Sequence, residues 1–83
     1  MDETIKSLAL KTKLVSLAPW DRERFFETLS FREREVLKLR HIADGSGNTY
    51  ELDEVARIFK IEPQRVQQIE MKALGKLRSF LAA

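Results

Sequence analysis

The chain has 83 residues, a net charge of +2, no cysteine and a single histidine, His41. A chain this short buries only about 60–65% of its unfolded surface, which leaves room for one modest core and no deep catalytic cavity. Disulfides, cysteine-ligated zinc and thiol nucleophiles are excluded, and one histidine cannot form a histidine-pair metal site. We therefore expect a binding domain without metal, cofactor or small-molecule substrate, and not an enzyme.

Neither a membrane segment nor a leader is predicted. The longest apolar runs have three or four residues, far fewer than the roughly 20 that span a bilayer. The acidic start, Met1-Asp2-Glu3, argues against a secretory or transit peptide. We expect a cytoplasmic protein.

The charges are distributed unevenly along the chain. Residues 1–56 carry nine Lys or Arg against eleven Asp or Glu, whereas residues 57–83 carry six against two. A basic C-terminal third favours an anionic partner, although a solvated helix face would show the same pattern.

Five helices are predicted, over about 3–17, 19–29, 31–41, 52–59 and 63–77 or beyond. Pro19 suits a first helical turn, and Ser30 with Glu33 forms the S-x-x-E pattern of a capping box. Residues 44–48 form the clear loop. The predicted buried positions are Ile5, Leu8, Thr12, Val15, Trp20, Phe25, Phe26, Leu29, Val36, Leu37, Leu39, Leu52, Val55, Ala56, Phe59, Val66, Ile69, Ala73, Leu74 and Leu77. For Trp20, Phe25 and Phe26 the alternative is an exposed surface for a partner.

The last two helices are separated only by Lys60-Ile61-Glu62. Two helices joined by a short turn, the second carrying polar and basic side chains, have the spacing of a helix-turn-helix. Because helical hairpins are common, the spacing alone does not establish DNA binding.

Three sequence blocks carry a specific resemblance. They are R-E-R-E-V-L-K-L-R over 32–40, L-D-E-V-A over 52–56 and R-V-Q-Q-I-E-M-K-A-L-G-K-L-R over 65–78. Together they resemble region 4 of sigma-70 family RNA polymerase sigma factors over about 50 residues, 29–78. The resemblance implies an all-α bundle that docks on the β-subunit flap of RNA polymerase and reads the promoter −35 element in the bacterial cytosol or nucleoid.

The resemblance also implies a set of DNA-binding residues. Four residues match family positions that contact backbone phosphates: Arg32, Arg40, Leu52 and Lys72. Leu52 would do so through the backbone amides of a helix start. The early turns of the recognition helix approach bases and backbone, and their residues are Gln64, Arg65, Gln67 and Gln68. For Arg65 an intrahelical pair with Glu62 is favoured over a DNA contact. For Arg32 and Arg40 the alternative to a phosphate contact is a surface ion pair with Glu33 or Glu35.

The recognition helix departs from the family pattern at its start. Glu62 and Pro63 replace a capping Thr and a base-reading Arg, and Gln64 and Gln67 replace a Glu and an Arg. The loss of cationic contacts predicts weaker binding with a flatter salt dependence. An alternative function is therefore a protein–protein module that binds polymerase or a regulator and has lost sequence-specific DNA reading.

Two turn positions also depart from the family pattern. Glu51 replaces a Thr that caps the fourth helix, so Thr49 or Asn48 is the expected cap. Lys60 stands where Gly is frequent, which costs roughly 1 kcal/mol if the backbone there is left-handed.

Residues 1–28 show no clear family pattern. They are interpreted as a cap, a linker or an interaction arm, for example an arm for self-association. The helix-turn-helix domain spans 29–83. We expect the two parts to form one compact domain.

Overall fold

The computed structural model describes residues 3–42 and 48–82, and side chains from residue 9 onward within these ranges. The described chain is all-helical, as predicted. Most of the expected loop over 44–48, and the side chains of Ile5 and Leu8, lie outside the described residues. The five helices are α1 (Glu3–Ser16), α2 (Pro19–Phe26), α3 (Phe31–His41), α4 (Leu52–Phe59) and α5 (Pro63–Ala82).

The end of α2 differs from the prediction, and the end of α5 lies beyond Leu77, as the prediction allowed. α2 ends at Phe26 because the chain closes into tight turns, in which the amides of Thr28 and Leu29 donate to the carbonyls of Phe25 and Phe26 at 2.9 and 3.1 Å. α5 continues to Ala82, since its last turn packs Phe80 against Phe25 with ring centroids 5.6 Å apart.

The connection between α1 and α2 is held by a side chain. Ala18 has the extended backbone that a following proline favours. Arg22 Nη2 donates to the carbonyls of Val15 and Leu17 at 3.1 and 3.2 Å. These bonds satisfy carbonyls that the end of α1 leaves without helical partners, so α1 and α2 meet at a fixed corner.

The predicted capping box at the start of α3 is confirmed. The Glu33 amide donates to Ser30 Oγ at 3.2 Å, and the Ser30 amide donates to Glu33 Oε1 at 2.9 Å. At α4, in contrast, the expected Thr49 or Asn48 cap is wrong. Glu51 is the N-cap residue, and its amide donates to Glu54 Oε1 at 2.9 Å.

α5 packs against α1, α3 and α4 and contributes to two apolar clusters. The first joins α5 to the N-terminal helices, and its buried members are Leu14, Phe25, Phe26, Leu29, Leu37, Ala73, Leu74 and Leu77. The second lies under the helix-turn-helix, and its buried members are Val36, Val55, Ala56, Val66 and Ile69. The predicted buried face of α5 is therefore confirmed.

The predicted buried face of α1 is wrong where it can be checked. Thr12 and Val15 are exposed, whereas Leu14 is fully buried and Leu10 and Leu17 pack against the first cluster. Leu10, Leu14 and Leu17 also follow helical spacing, and three leucines bury more apolar surface than a face that includes a threonine.

Trp20 is also misplaced by the sequence prediction. Its side chain is 73% exposed, whereas Phe25 and Phe26 on the same helix are buried as expected. At 100° per residue, position 20 lies about 120–140° around the helix from the two phenylalanines. The tryptophan therefore points away from the core that they form.

Candidate nucleic-acid interface

The turn between α4 and α5 sets the angle of the helix-turn-helix. Lys60 has φ 57° and ψ 45°, the left-handed conformation considered from the sequence. The Ile61 amide donates to the Ala56 carbonyl at 3.0 Å, and the Ile61 side chain packs against the second cluster. The left-handed backbone of Lys60 costs about 1 kcal/mol of strain, and the turn packs α5 against α4.

α5 separates its apolar and polar residues onto two faces. Val66 and Ile69 point into the core between α3 and α4. The five predicted site residues of this helix are all exposed, namely Gln64, Arg65, Gln67, Gln68 and Lys72. The outward face of the second helix of the motif is thus polar and basic, as a groove-reading helix requires.

Four predicted site residues converge on one cleft of about 310 Å³ between the start of α3 and the outward face of α5. We call this the basic cleft. Its lining residues are Ser30, Arg32, Glu33, Arg65, Gln68, Ile69 and Lys72. The cleft joins side chains that lie more than 30 positions apart in sequence, and three of them are cations.

Arg32 and Arg65 are each oriented by a neighbour. The Arg32 guanidinium carbon lies 5.0 Å from the centroid of the Phe59 ring, a cation–π contact between α3 and α4. Arg65 Nη1 donates to Gln68 Oε1 at 3.3 Å. The alternative pair with Glu62 is not formed, so the expectation that favoured it is wrong.

Glu33 is the acid of the basic cleft, and its charge is matched within the protein. Its carboxylate is buried, and Oε1 accepts from Lys76 Nζ and from the Ser30 amide at 2.8 and 2.9 Å. Burial acts to raise the pKa of Glu33, but the Lys76 and Ser30 hydrogen bonds outweigh it and the pKa is lowered. The cleft therefore keeps the positive charge of Arg32, Arg65 and Lys72.

The other predicted site residues lie outside the basic cleft. Gln64 and Gln67 are exposed on α5 without lining it. Leu52 begins α4, where the Glu54 carboxylate already accepts from the Glu51 amide. That negative charge opposes a phosphate at the same helix end.

Arg40 is placed differently from the interpretation that it pairs with Glu33 or Glu35. Its Nε donates to Glu70 Oε2 at 2.8 Å, and its Nη1 donates to the Tyr50 carbonyl at 3.4 Å. Glu70, which is only 4% exposed, was not among the predicted site residues. The available signal was an acid at helical spacing from Val66, Ala73 and Leu77, on the apolar face of α5.

A second concave surface lies between α2, α3 and the segment before α4. This groove has a volume of about 660 Å³. Its apolar lining residues are Pro19, Trp20, Phe26, Leu39, Ile42 and Tyr50, and its charged ones are Arg22, Glu23, Glu35 and Lys38. We call it the Trp20 groove. It shares no lining residue with the basic cleft, so the two surfaces can be altered separately.

Comparison with known proteins identifies the family. The family model for sigma-70, region 4 matches residues 25–79. The chain belongs to the sigma-70 region 4 family. The match covers α3, the helix-turn-helix and most of α5, and so includes both the basic cleft and Arg40. It leaves α1 and most of α2 outside the region 4 match.

Curated relatives agree with this assignment. The chain is 48% identical over 58 residues to RNA polymerase sigma factor SigA of Microcystis aeruginosa and to that of Synechocystis sp., in each case over 70% of this chain. It is 48% identical over 56 residues to SigA of Listeria monocytogenes, over 68% of this chain. The aligned part spans only 13–15% of the length of these relatives. No solved structure matches significantly.

Among the described side chains, those of 9–42 and 48–82, no group of three or more His, Asp or Glu could hold a metal ion. No described helix is long and apolar enough to cross a membrane.

Proposed function

We propose that this region 4 domain binds promoter −35 DNA in transcription initiation, acting by binding and without chemistry of its own. The observation that supports this best is the basic cleft, which unites Arg32 of α3 with Arg65, Gln68 and Lys72 of α5. α5 enters the major groove, and the cations on either side of the cleft contact backbone phosphates and set the register.

Base reading is proposed for the glutamine-rich face of α5. A glutamine amide can form two hydrogen bonds to adenine in the major groove, which favours Gln68 as a base-reading residue. Gln64 and Gln67 are exposed beside it. Arg65 is oriented by Gln68, so the two act as a unit, with the guanidinium directed to a guanine or a phosphate.

The Trp20 groove is the proposed docking surface for the RNA polymerase β-flap. A mostly apolar groove with a rim of both charge signs suits an amphipathic segment of a partner protein. Trp20 supplies the largest exposed apolar side chain of the groove, and Lys38 lies 5.5 Å from the Phe26 ring centroid at the groove wall. A regulator that competes with polymerase would use the same surface.

The division of the chain also belongs to this proposal. Residues 29–83 form the region 4-like helix-turn-helix domain and residues 1–28 form its N-terminal cap. The support is Leu14, which is fully buried in the same cluster as Leu74 and Leu77 of α5. The protein acts where promoter DNA and polymerase meet, in the bacterial cytosol or nucleoid.

Fluorescence anisotropy with a labelled −35 duplex and a scrambled duplex, at several salt concentrations, tests DNA binding. We expect tighter binding to the −35 duplex. Lys72→Ala should reduce the slope of log K against log salt by about one, and Gln68→Ala should reduce the preference for the −35 duplex. Arg24→Ala is the matched control, because Arg24 is exposed on α2 away from the cleft.

A second candidate function is favoured by Glu62 and Pro63 at the start of α5, where an acid replaces the family's capping Thr and a proline replaces its base-reading Arg. In that function the domain docks on polymerase through the Trp20 groove and does not read bases. Equal affinity for both duplexes, together with capture of polymerase that Trp20→Ala abolishes, would support it over DNA reading. Val15→Ala controls for loss of an exposed apolar side chain outside the groove.

A further inference from the structure

Glu70 is a buried carboxylate that faces three basic side chains from two other helices. Arg40 Nε and His41 Nε2, both of α3, lie 2.8 and 3.5 Å from Oε2, and Lys11 Nζ of α1 lies 3.5 Å from Oε1. The Glu70 side chain is only 5% exposed. An acid placed this deep needs charged partners to compensate its lost hydration, and Arg40 makes the shortest contact.

The hydrogen bonds of Arg40 fix the plane of its guanidinium. Nε is bound to Glu70 on α5, and Nη1 is bound to the Tyr50 carbonyl just before α4. The Tyr50 amide donates in turn to the Leu39 carbonyl of α3 at 2.8 Å. A guanidinium has five N–H donors in a rigid fork, so these two bonds leave up to three for another acceptor. The Arg40 side chain is 19% exposed.

We propose that Glu70 is a positioning residue of the DNA interface, which holds the Arg40 guanidinium so that its outward N–H groups meet a backbone phosphate. The inference rests on the proposed DNA-binding function and deepens it. A fixed fork binds a phosphate without first losing the side-chain freedom of a mobile arginine. The ion pair of Lys11 with Glu70 also joins α1, which lies outside the region 4 match, to the same carboxylate.

Positioning and simple electrostatics predict opposite effects for the same substitution. Glu70 carries a negative charge beside the proposed phosphate, so its neutralisation should strengthen DNA binding if charge alone matters. If Glu70 positions Arg40, its neutralisation should weaken binding, because the guanidinium loses its 2.8 Å partner. The sign of the change separates the two explanations.

Anisotropy titration of the full chain with the −35 duplex measures that sign. We expect Glu70→Gln to weaken binding about tenfold, and the control Glu62→Gln, which removes an exposed acid at the start of α5, to strengthen it about twofold. In a double-mutant cycle, Glu70→Gln should add little to Arg40→Gln, since both act through one contact. Circular dichroism checks that each variant is folded at the titration temperature.

Arg40→Lys is a second variant that keeps the positive charge and removes the fork. We expect a loss of affinity similar to that of Glu70→Gln. Unchanged or tighter binding by Glu70→Gln, or wild-type affinity in Arg40→Lys, would overturn the positioning role while leaving DNA binding intact. Failure of the wild-type chain to bind either duplex would instead overturn the proposed function and this inference together.

Discussion

Lys76 of α5 and Glu33 of α3 form a 2.8 Å charge-assisted hydrogen bond across 43 positions of sequence. Glu33 also completes the capping box of α3 through the Ser30 amide. One carboxylate therefore both caps the start of α3 and joins α3 to α5, in the wall of the basic cleft. The geometry of the cleft depends on a residue that the sequence alone assigned only to helix capping.

Lys76→Met should destabilise the domain by about 2 kcal/mol, because it leaves the buried Glu33 carboxylate without its cation. Urea unfolding followed by circular dichroism measures the change. Lys72→Met is the control, since Lys72 is exposed and should change the free energy of unfolding by less than about 0.5 kcal/mol. Equal effects of the two substitutions would show that the Glu33 contact contributes nothing.

Stability should fall in acid below about pH 4.5. Burial acts to raise the pKa of Glu70, but the close contacts and charge interactions with His41 and Arg40 lower it from 4.5 to about 2, and the pKa of Glu33 is lowered as well. Between these values the unfolded state binds more protons, so the contribution of Glu70, on the order of 3 kcal/mol, is present above pH 4.5 and lost towards pH 2. Urea titrations at successive pH values should show this slope, and Glu70→Gln should flatten it.

Lys60→Gly should stabilise the domain by about 0.5–1 kcal/mol, because glycine adopts φ 57° without the steric cost that lysine carries. Lys60→Ala is the control, since it removes the same charge and retains Cβ. We expect thermal melts to show a higher Tm for the glycine variant and no gain for the alanine variant. A gain shared by both would indicate that the charge, and not the backbone, limits the turn.

Trp20→Ala should cost less than about 0.5 kcal/mol of stability, whereas Phe25→Ala should cost about 3–5 kcal/mol. Trp20 is 73% exposed and Phe25 is fully buried, so two aromatic residues of one helix are expected to differ widely. Denaturant unfolding of both variants checks this. A large loss of stability for Trp20→Ala would show that the tryptophan is part of the core.

Local signals predicted most of the fold. The capping pattern at Ser30 and Glu33 located the start of α3, and the apolar spacing from Val66 to Leu77 gave the buried face of α5. The sequence resemblance also selected Arg32, Arg65, Gln68 and Lys72, which line one cleft. These features depend on neighbours within a few positions or on a family pattern, so a single sequence contains them.

The errors concern tertiary packing. Trp20 and Val15 were assigned to the core because apolar side chains favour burial. The buried faces of their helices are instead the ones that carry Phe25, Phe26 and Leu14. The alternative ion pair of Arg40 was sought among acids of its own helix, and the structure provides Glu70 from α5. Long-range ion pairs leave no spacing rule in the sequence, so these contacts required the fold.

The exposed position of Trp20 gives this protein a built-in spectroscopic probe. Trp20 is the single tryptophan of the chain and lies on the rim of the groove, 73% exposed. Its emission should be that of a hydrated indole in the native state and should change little when the core melts. A blue shift on addition of a ligand would therefore report occupancy of the groove itself, with no label attached and without interference from the folding transition.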